Sequence, residues 1–287
     1  MEDSYNVPAA TSQNTASSKF KAIIQKTKSK LNKLKERKNS KIIVSVSVAL
    51  LVIFLCCCMA SVFSIAGRRG SGNIVSSIRE VDNFSEVVAD GNFNLFFTKG
   101  EKEAVTIEAE DNIISKIETK TDGEQLKVYY KSSFPYIFGG MVFPTEDINV
   151  YITVKNLNEI TVSGSANIEN DKQLALEKLK ITIDGSGKVN MNLKTGEFET
   201  SISGSGEVNL KGETTNQILN ISGSGNYHSK DFVSKNTEIS CEGSCNVIVN
   251  ASEKLDIEIS GSGDVKYLGN PKVNQEISGS GNVQQYK

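Results

Sequence analysis

The side chains able to do chemistry are few and poorly placed for it. Among 287 residues there is one histidine, His228, and no tryptophan. His228 follows Tyr227 in an alternating run, which puts it on an outer edge. One histidine and no Cys-x-x-Cys leave a zinc centre without ligands. Glu108 and Glu110 form a carboxylate pair, but they alternate with Ile107 and Ala109 as solvated strand faces do. Beyond Arg69 the only arginine is Arg79, so an acid-base groove of the kind used on polysaccharides lacks basic partners. Asp184 and Asp264 lie beside glycine-rich turns, but a calcium-binding β-roll needs a nine-residue repeat, about half the period found here. No catalytic residue, cofactor or metal is expected.

What must position these groups is a phrase, Ile-Ser-Gly-Ser-Gly-x-Val, written seven times. Its first glycines are Gly164, Gly185, Gly204, Gly223, Gly243, Gly261 and Gly279, spaced 21, 19, 19, 20, 18 and 18 residues apart. A near-constant period of this size marks a stacked architecture. Val162, Ile183, Ile202, Ile221, Cys241, Ile259 and Ile277 stand two before the glycine. Ile168, Val189, Val208, Tyr227, Val247, Val265 and Val283 stand four after it. Even offsets share one face of an extended chain, and β-branched residues at period 2 are strand chemistry. A flexible Gly/Ser linker would not keep Ile and Val in register. The expected fold is therefore all-β, a parallel β-solenoid with ~19-residue coils. An antiparallel meander with the phrase as hairpin turns is the alternative.

The glycines mark either a corner needing unusual dihedrals or a pinch between opposite walls. Ala166 and Cys245 replace the second glycine in two copies, which favours the pinch. On a straight strand Cys241 and Cys245 would be roughly 13 Å apart, beyond the ~7 Å limit for a disulfide. Two free, buried thiols are expected.

In chain order, residues 1–18 are polar, and ten Lys or Arg against one Glu fall between Lys19 and Lys41. Residues 1–41 read as a basic cytoplasmic tail, either an amphipathic helix on anionic lipid or a solvated juxtamembrane stretch. Nothing supports nucleic-acid binding. Residues 42–66 carry no charge and are long enough for one transmembrane helix. Cys56, Cys57 and Cys58 inside it read as small apolar residues. Residues 1–69 hold 12 positive and 3 negative side chains; the remainder holds 20 and 31. The positive side stays cytoplasmic, which places the acidic part outside. Ser64-x-Ala66 before Gly67 offers a signal-peptidase site, but the segment is long for that role and an uncleaved anchor is favoured.

Residues 67–77 read as a linker and 78–287 as one ectodomain, with the repeats spanning 160–283. Alternating runs at Ala89–Phe97, Val105–Ala109, Leu126–Tyr130 and Ile148–Val154 are strands that start and cap the stack. The stretch from Tyr129 to Pro144 reads as a loop. Tyr129, Tyr130, Phe134, Tyr136, Phe138 and Phe143 make it the candidate partner-binding surface, unless it folds back over an open end of the solenoid.

Ile78 to Val283 resembles the bacterial head GIN domain adhesin family, formerly a domain of unknown function. The resemblance is carried by Arg79-Glu80-Val81-Asp82-Asn83-Phe84, the strand and turn from Phe93 to Gly100, Val105 to Asn112, Leu126-Lys127-Val128 and the Ser-Gly-Ser-Gly phrases. It implies a β-helix-like domain on the cell envelope and no catalytic residues. The chain departs from the family's auto-transporter label in having no segment that could form an outer-membrane barrel. The expected function is that of a membrane-anchored, non-enzymatic envelope protein presenting a solenoid for adhesion or surface interaction. The alternative is an envelope-sensing protein that signals through its basic tail.

Overall fold

The structure is a computed structural model describing residues 25–26, 28–29, 51–54, 69–131 and 143–286. The chain divides into two compact units, Met1–Ala66 and Gly67–Lys287. In the first, residues 25–26, 28–29 and 51–54 are helical and exposed. Among the described residues no helix is long and apolar enough to cross a membrane. Most of the expected tail and span lies outside the described residues.

The second unit is all-β. Its early strands are β1 (Ile74–Arg79), β2 (Glu86–Asp90), β3 (Asn94–Lys99), β4 (Ala104–Glu110), β5 (Ile117–Asp122), β6 (Gln125–Tyr130) and β7 (Asn149–Val154). The repeats supply β8 (Glu159–Gly164), β9 (Asn167–Asn170), β10 (Leu174–Ala175), β11 (Lys178–Gly185) and β12 (Lys188–Gly204). They continue with β13 (Glu207–Gly223), β14 (Asn226–Gly243), β15 (Asn246–Gly261), β16 (Asp264–Leu268), β17 (Lys272–Gly279) and β18 (Asn282–Gln285). A 3-10 turn at Ile114–Lys116 precedes β5.

Successive coils are parallel and in register. Ile202 lies beside Ile221, Val189 beside Val208, and Gly204 beside Gly223. The antiparallel meander is thereby excluded for the repeats. Among the described residues antiparallel pairing is confined to β1–β4, β4–β7 and the β5–β6 hairpin at the N-terminal end. β1 begins at Ile74, inside the interval read as linker.

The phrase is a corner and a pinch at once, at different glycines. All seven first glycines have φ between +112° and +136°. A Cβ at Gly223 would stand 2.6 Å from the carbonyl oxygen of Gly204. Backbone pairing nevertheless continues round the bend, with the Ser224 amide donating to the Gly204 carbonyl at 2.8 Å. The second glycine is the pinch: a Cβ at Gly225 would lie 2.9 Å from Cγ2 of Ile221 in its own coil.

This crowding explains which residues replace the second glycine. Ile before the corner goes with Gly after it, Val162 with Ala166, and Cys241 with Cys245. The rule exposes an eighth copy. Gly91 has φ +140° and stacks under Gly164, and β2 pairs with β8 so that Ala89 lies beside Val162. Here the smallest residue before the corner, Ala89, goes with the largest after it, Phe93. In the seven repeats volume is exchanged across the bend at near-constant sum, as close packing requires. The first coil keeps the reciprocity with a larger total, since Phe93 reaches on to stack against Tyr130.

The expectation of free thiols is corrected by the same bend. Cys241 and Cys245 form a disulfide with their Cα atoms 6.3 Å apart. The positive-φ Gly243 between them turns the chain back and halves the straight-strand separation. Both are buried, as expected.

Inside the coils the Ile, Val and Leu columns are buried as far as Val265, and the last coil opens to solvent at Ile277 and Val283. Each such side chain contributes about 1.5–3 kcal/mol. A polar seam interrupts them in the middle coils. Gln217 Nε2 donates to the Tyr227 hydroxyl at 2.6 Å, Ser229 Oγ to the Ile248 carbonyl at 3.1 Å, and Thr195 Oγ1 to Thr214 Oγ1 at 2.9 Å. Burial pushes the Tyr227 phenol well above its ordinary range, so it stays neutral and bonded.

Candidate functional site

The aromatic residues expected to bind a partner are divided by the structure. Tyr129 and Tyr130 lie on β6, so the loop begins later than its composition suggests. Tyr130 stacks on Phe93 with ring centroids 5.2 Å apart and packs against the core. Tyr129 donates its hydroxyl to Glu118 Oε2 at 3.0 Å, and Lys131 pairs with Glu118 at 2.8 Å. The hydrogen bond to Glu118 raises the Tyr129 phenol, and hydrogen bonds from Lys131 and Tyr129 hold the Glu118 carboxyl down. Phe143 is 40% exposed and makes an isolated bridge with Arg69. Phe134, Tyr136 and Phe138 lie outside the described residues.

Beside Phe143 the segment after Arg69 is clasped to the domain. Glu110 is 1% exposed and accepts from the Gly72 amide at 2.7 Å and from the Thr145 amide at 3.0 Å. The Thr145 hydroxyl bonds it too. Burial would raise the Glu110 carboxyl, but these hydrogen bonds outweigh it and leave the group below the usual carboxylate range. Next to it Asp111 accepts from Ser71 Oγ at 2.6 Å and Asn73 Nδ2 at 2.9 Å. The Glu108–Glu110 pair is thus no acid-base site: Glu108 accepts from the exposed Tyr151 hydroxyl, and Glu110 is a buried fastening.

Two long outer faces remain. On the face before the corner, a groove of about 760 Å³ is floored by charged and amide columns, including Lys180 bridged to Glu199 at 3.1 Å and Asn236 bonded to Asn216 at 2.9 Å. On the face after the corner, a groove of about 780 Å³ is floored by a column of Asn190, Asn209, His228 and Ile248. Asn209 Nδ2 donates to Asn190 Oδ1 at 3.0 Å, and Asn190 Nδ2 to Glu169 Oε1 at 3.0 Å. The same column continues to Phe96 and Tyr151, whose rings stack at 5.2 Å on the surface. His228 is on the outer side, as expected from its alternation with buried Tyr227. Among the described residues no group of three His, Cys, Asp or Glu could hold a metal.

The family model for "Putative auto-transporter adhesin, head GIN domain" matches residues 83–271. The chain belongs to the head GIN domain family. Solved structures with the same fold include an adhesin so described from Bacteroides fragilis, 23% identical with a TM-score of 0.69, the match covering 76% of this chain and 99% of that one. Another, described as a lipid binding protein from Parabacteroides distasonis, is 22% identical with a TM-score of 0.60 over 76% and 99% of the two chains. A third, an adhesin so described from Parabacteroides merdae, is 22% identical with a TM-score of 0.57 over 76% and 98%. No curated protein matches the chain. For this head GIN domain, these likenesses establish the β-solenoid fold.

Proposed function

We propose that this head GIN protein is a membrane-anchored, non-enzymatic envelope protein whose solenoid engages surfaces outside the cell. The observation that carries the reading is the in-register stack, which repeats each outward side chain position along straight columns on a rigid wall. Such a wall suits an extended, repetitive ligand better than a compact one. Residues 42–66 serve as a single-pass anchor with the N-terminus cytoplasmic, and the basic tail rests against anionic lipid. Protease added to spheroplasts is expected to digest residues beyond 70 and spare the tail, and intact cells lacking the protein should lose surface attachment. Protection of the repeats, or unchanged attachment, would sink the reading.

A second reading has its own observation, the ten Lys or Arg between Lys19 and Lys41. In it the solenoid senses the envelope and the tail passes the signal inward. Crosslinked partners recovered on residues 1–41, rather than on the solenoid, would favour it.

A further inference from the structure

The groove after the corner is built from departures from the repeat. The spacing of 21 residues in the first coil places two extra residues between β9 and β10, since Glu169 pairs with Asn190 but Leu174 with Leu193. The spacing of 20 in the fourth is a β-bulge: Asn209 pairs with His228, but Lys211 with Asp231. Both insertions fall on the rims of one groove, which is lined by Asp171, Lys211, Lys230 and Asp231. Each is pinned. Asn170 donates to the Asn192 carbonyl at 2.8 Å and accepts from the Asn192 amide at 2.8 Å, and Asn250 Nδ2 donates to the Lys230 carbonyl at 3.0 Å. Bulges of this kind are characteristic of strands that re-aim side chains beside a site.

The floor chemistry is that of a neutral hydroxyl-rich ligand. An Asn amide has two donors and two acceptor lone pairs. Asn209 spends both N–H groups, on Asn190 Oδ1 and on Glu207 at 2.9 Å, and among the described residues nothing donates to its own oxygen. Asn190 spends one N–H on Glu169 and keeps the other. Donor and acceptor therefore alternate up the column at about 4.8 Å per rung, with the His228 ring next. The rim residues are two acidic and two basic, so the groove has no net charge to draw in phosphates or uronates. Its apolar floor is confined to the half-buried Ile248, since Met191 and Leu210 are themselves buried, and this is too little for the apolar centre of a protein interface. Two exposed aromatic rings flank the Asn column, Tyr286 on the groove itself and, beyond the groove, Tyr151 stacked on the half-buried Phe96.

We propose that this groove is a glycan-binding site that takes a linear, uncharged polysaccharide lying across the coils, its hydroxyls bridging Asn190, Asn209 and His228. The proposal rests on the surface-interaction reading and names the ligand class for it. The test uses the full chain in detergent against immobilised neutral hexose and N-acetylhexosamine hexamers, with uronate and sulfated hexamers beside them. The neutral hexamers should be retained, and an Asn190→Leu/Asn209→Leu variant should bind them about tenfold or more weakly with an unchanged Tm. Equal binding by the variant, retention of the acidic hexamers alone, or no retention would overturn the proposal. Cell attachment by the same variant separates the two claims. Attachment kept by the variant leaves the surface role standing and removes the glycan site; attachment lost once protease strips the target surface points to a protein ligand and overturns the site as well.

Discussion

The two glycines of each phrase should differ sharply when given a methyl group, and Gly223 and Gly225 are a clean pair for the test. Gly223 has φ +125°, and an added Cβ meets the Gly204 carbonyl oxygen at 2.6 Å. Alanine there adds about 1–3 kcal/mol of backbone strain. It also disturbs the rung bond from the Ser224 amide to that oxygen, worth about 0.5–1.5 kcal/mol. A loss of about 3 kcal/mol is expected. At Gly225 the new methyl meets side-chain atoms only, Cγ2 of Ile221 at 2.9 Å and Cδ1 of Ile202 at 3.5 Å. Overpacking of this kind costs about 1–3 kcal/mol. The Ile221→Val side chain keeps its γ methyls but lacks Cδ1, which stands 3.4 Å from the new methyl, and this leaves the branch room to turn aside, as Val162 does beside Ala166. Urea unfolding of Gly223→Ala, Gly225→Ala, Ile221→Val and both double variants supplies the cycle. A favourable coupling of about 1 kcal/mol is expected between Gly225→Ala and Ile221→Val, and none between Gly223→Ala and Ile221→Val. If Gly223→Ala costs less than about 1 kcal/mol, or if the Gly225 cycle shows no coupling, the volume-exchange argument fails.

The Cys241–Cys245 bridge closes a loop with a sequence separation of 4, so reduction should lower stability by about 2 kcal/mol, read as a shift in the urea midpoint between reduced and oxidised protein. Cys241→Ile with Cys245→Gly restores the phrase, and this variant should be insensitive to reductant. Tyr227→Phe leaves Gln217 Nε2 without its 2.6 Å partner and should cost about 1–3 kcal/mol in the same assay. The Glu110 and Asp111 carboxyls sit below their ordinary values of 4.5 and 3.8, so their stabilisation is present above those values and is lost as pH falls through the lower folded ones. Protection factors at the Gly72 and Thr145 amides, corrected for the intrinsic pH dependence of exchange, should therefore fall as the pH drops below those ordinary values, and Glu110→Gln should lower them already at neutral pH.

How much of this was legible in the sequence differs from element to element. The parallel stack was, because Ile202, Ile221 and their equivalents recur at offsets that only in-register coils can bury together. The first coil was legible as strands that start the stack, and β2 and β3 do pair with β8 and β9, but not as a copy of the phrase, because Ala89-Asp90-Gly91-Asn92-Phe93 keeps only one of its glycines. The reciprocal sizes at the two flanking positions were the available signal. The disulfide was missed because the tolerance of Ala166 at the second glycine was taken to describe the first as well. Ile74–Arg79 was missed as a strand because Ser76 and Ser77 break its apolar pattern, and its pairing with β4 decides the matter instead. The groove left a trace in the spacings of 21 and 20, but a spacing does not say where in its coil the insertion falls, and only the pairing places both beside one groove.

The stacking of Gly91 through Gly279 on a single line also bears on how the domain can change length. Since Gly204 and Gly223 occupy the same place on neighbouring rungs, gaining or losing one whole turn rejoins the chain at equivalent points and leaves both ends as they were. Partial turns cannot do this, because a shift of one residue sends every inward side chain outward. The turns are not interchangeable, however. Thr195 with Thr214 and Gln217 with Tyr227 tie particular neighbours together, and Phe198 on β12 meets Phe232 on β14 across the turn between them. A duplicated turn should therefore be tolerated best past Gly243, where the buried contacts are generic aliphatic ones, and circular dichroism melting of such lengthened chains would reveal where the stack accepts growth.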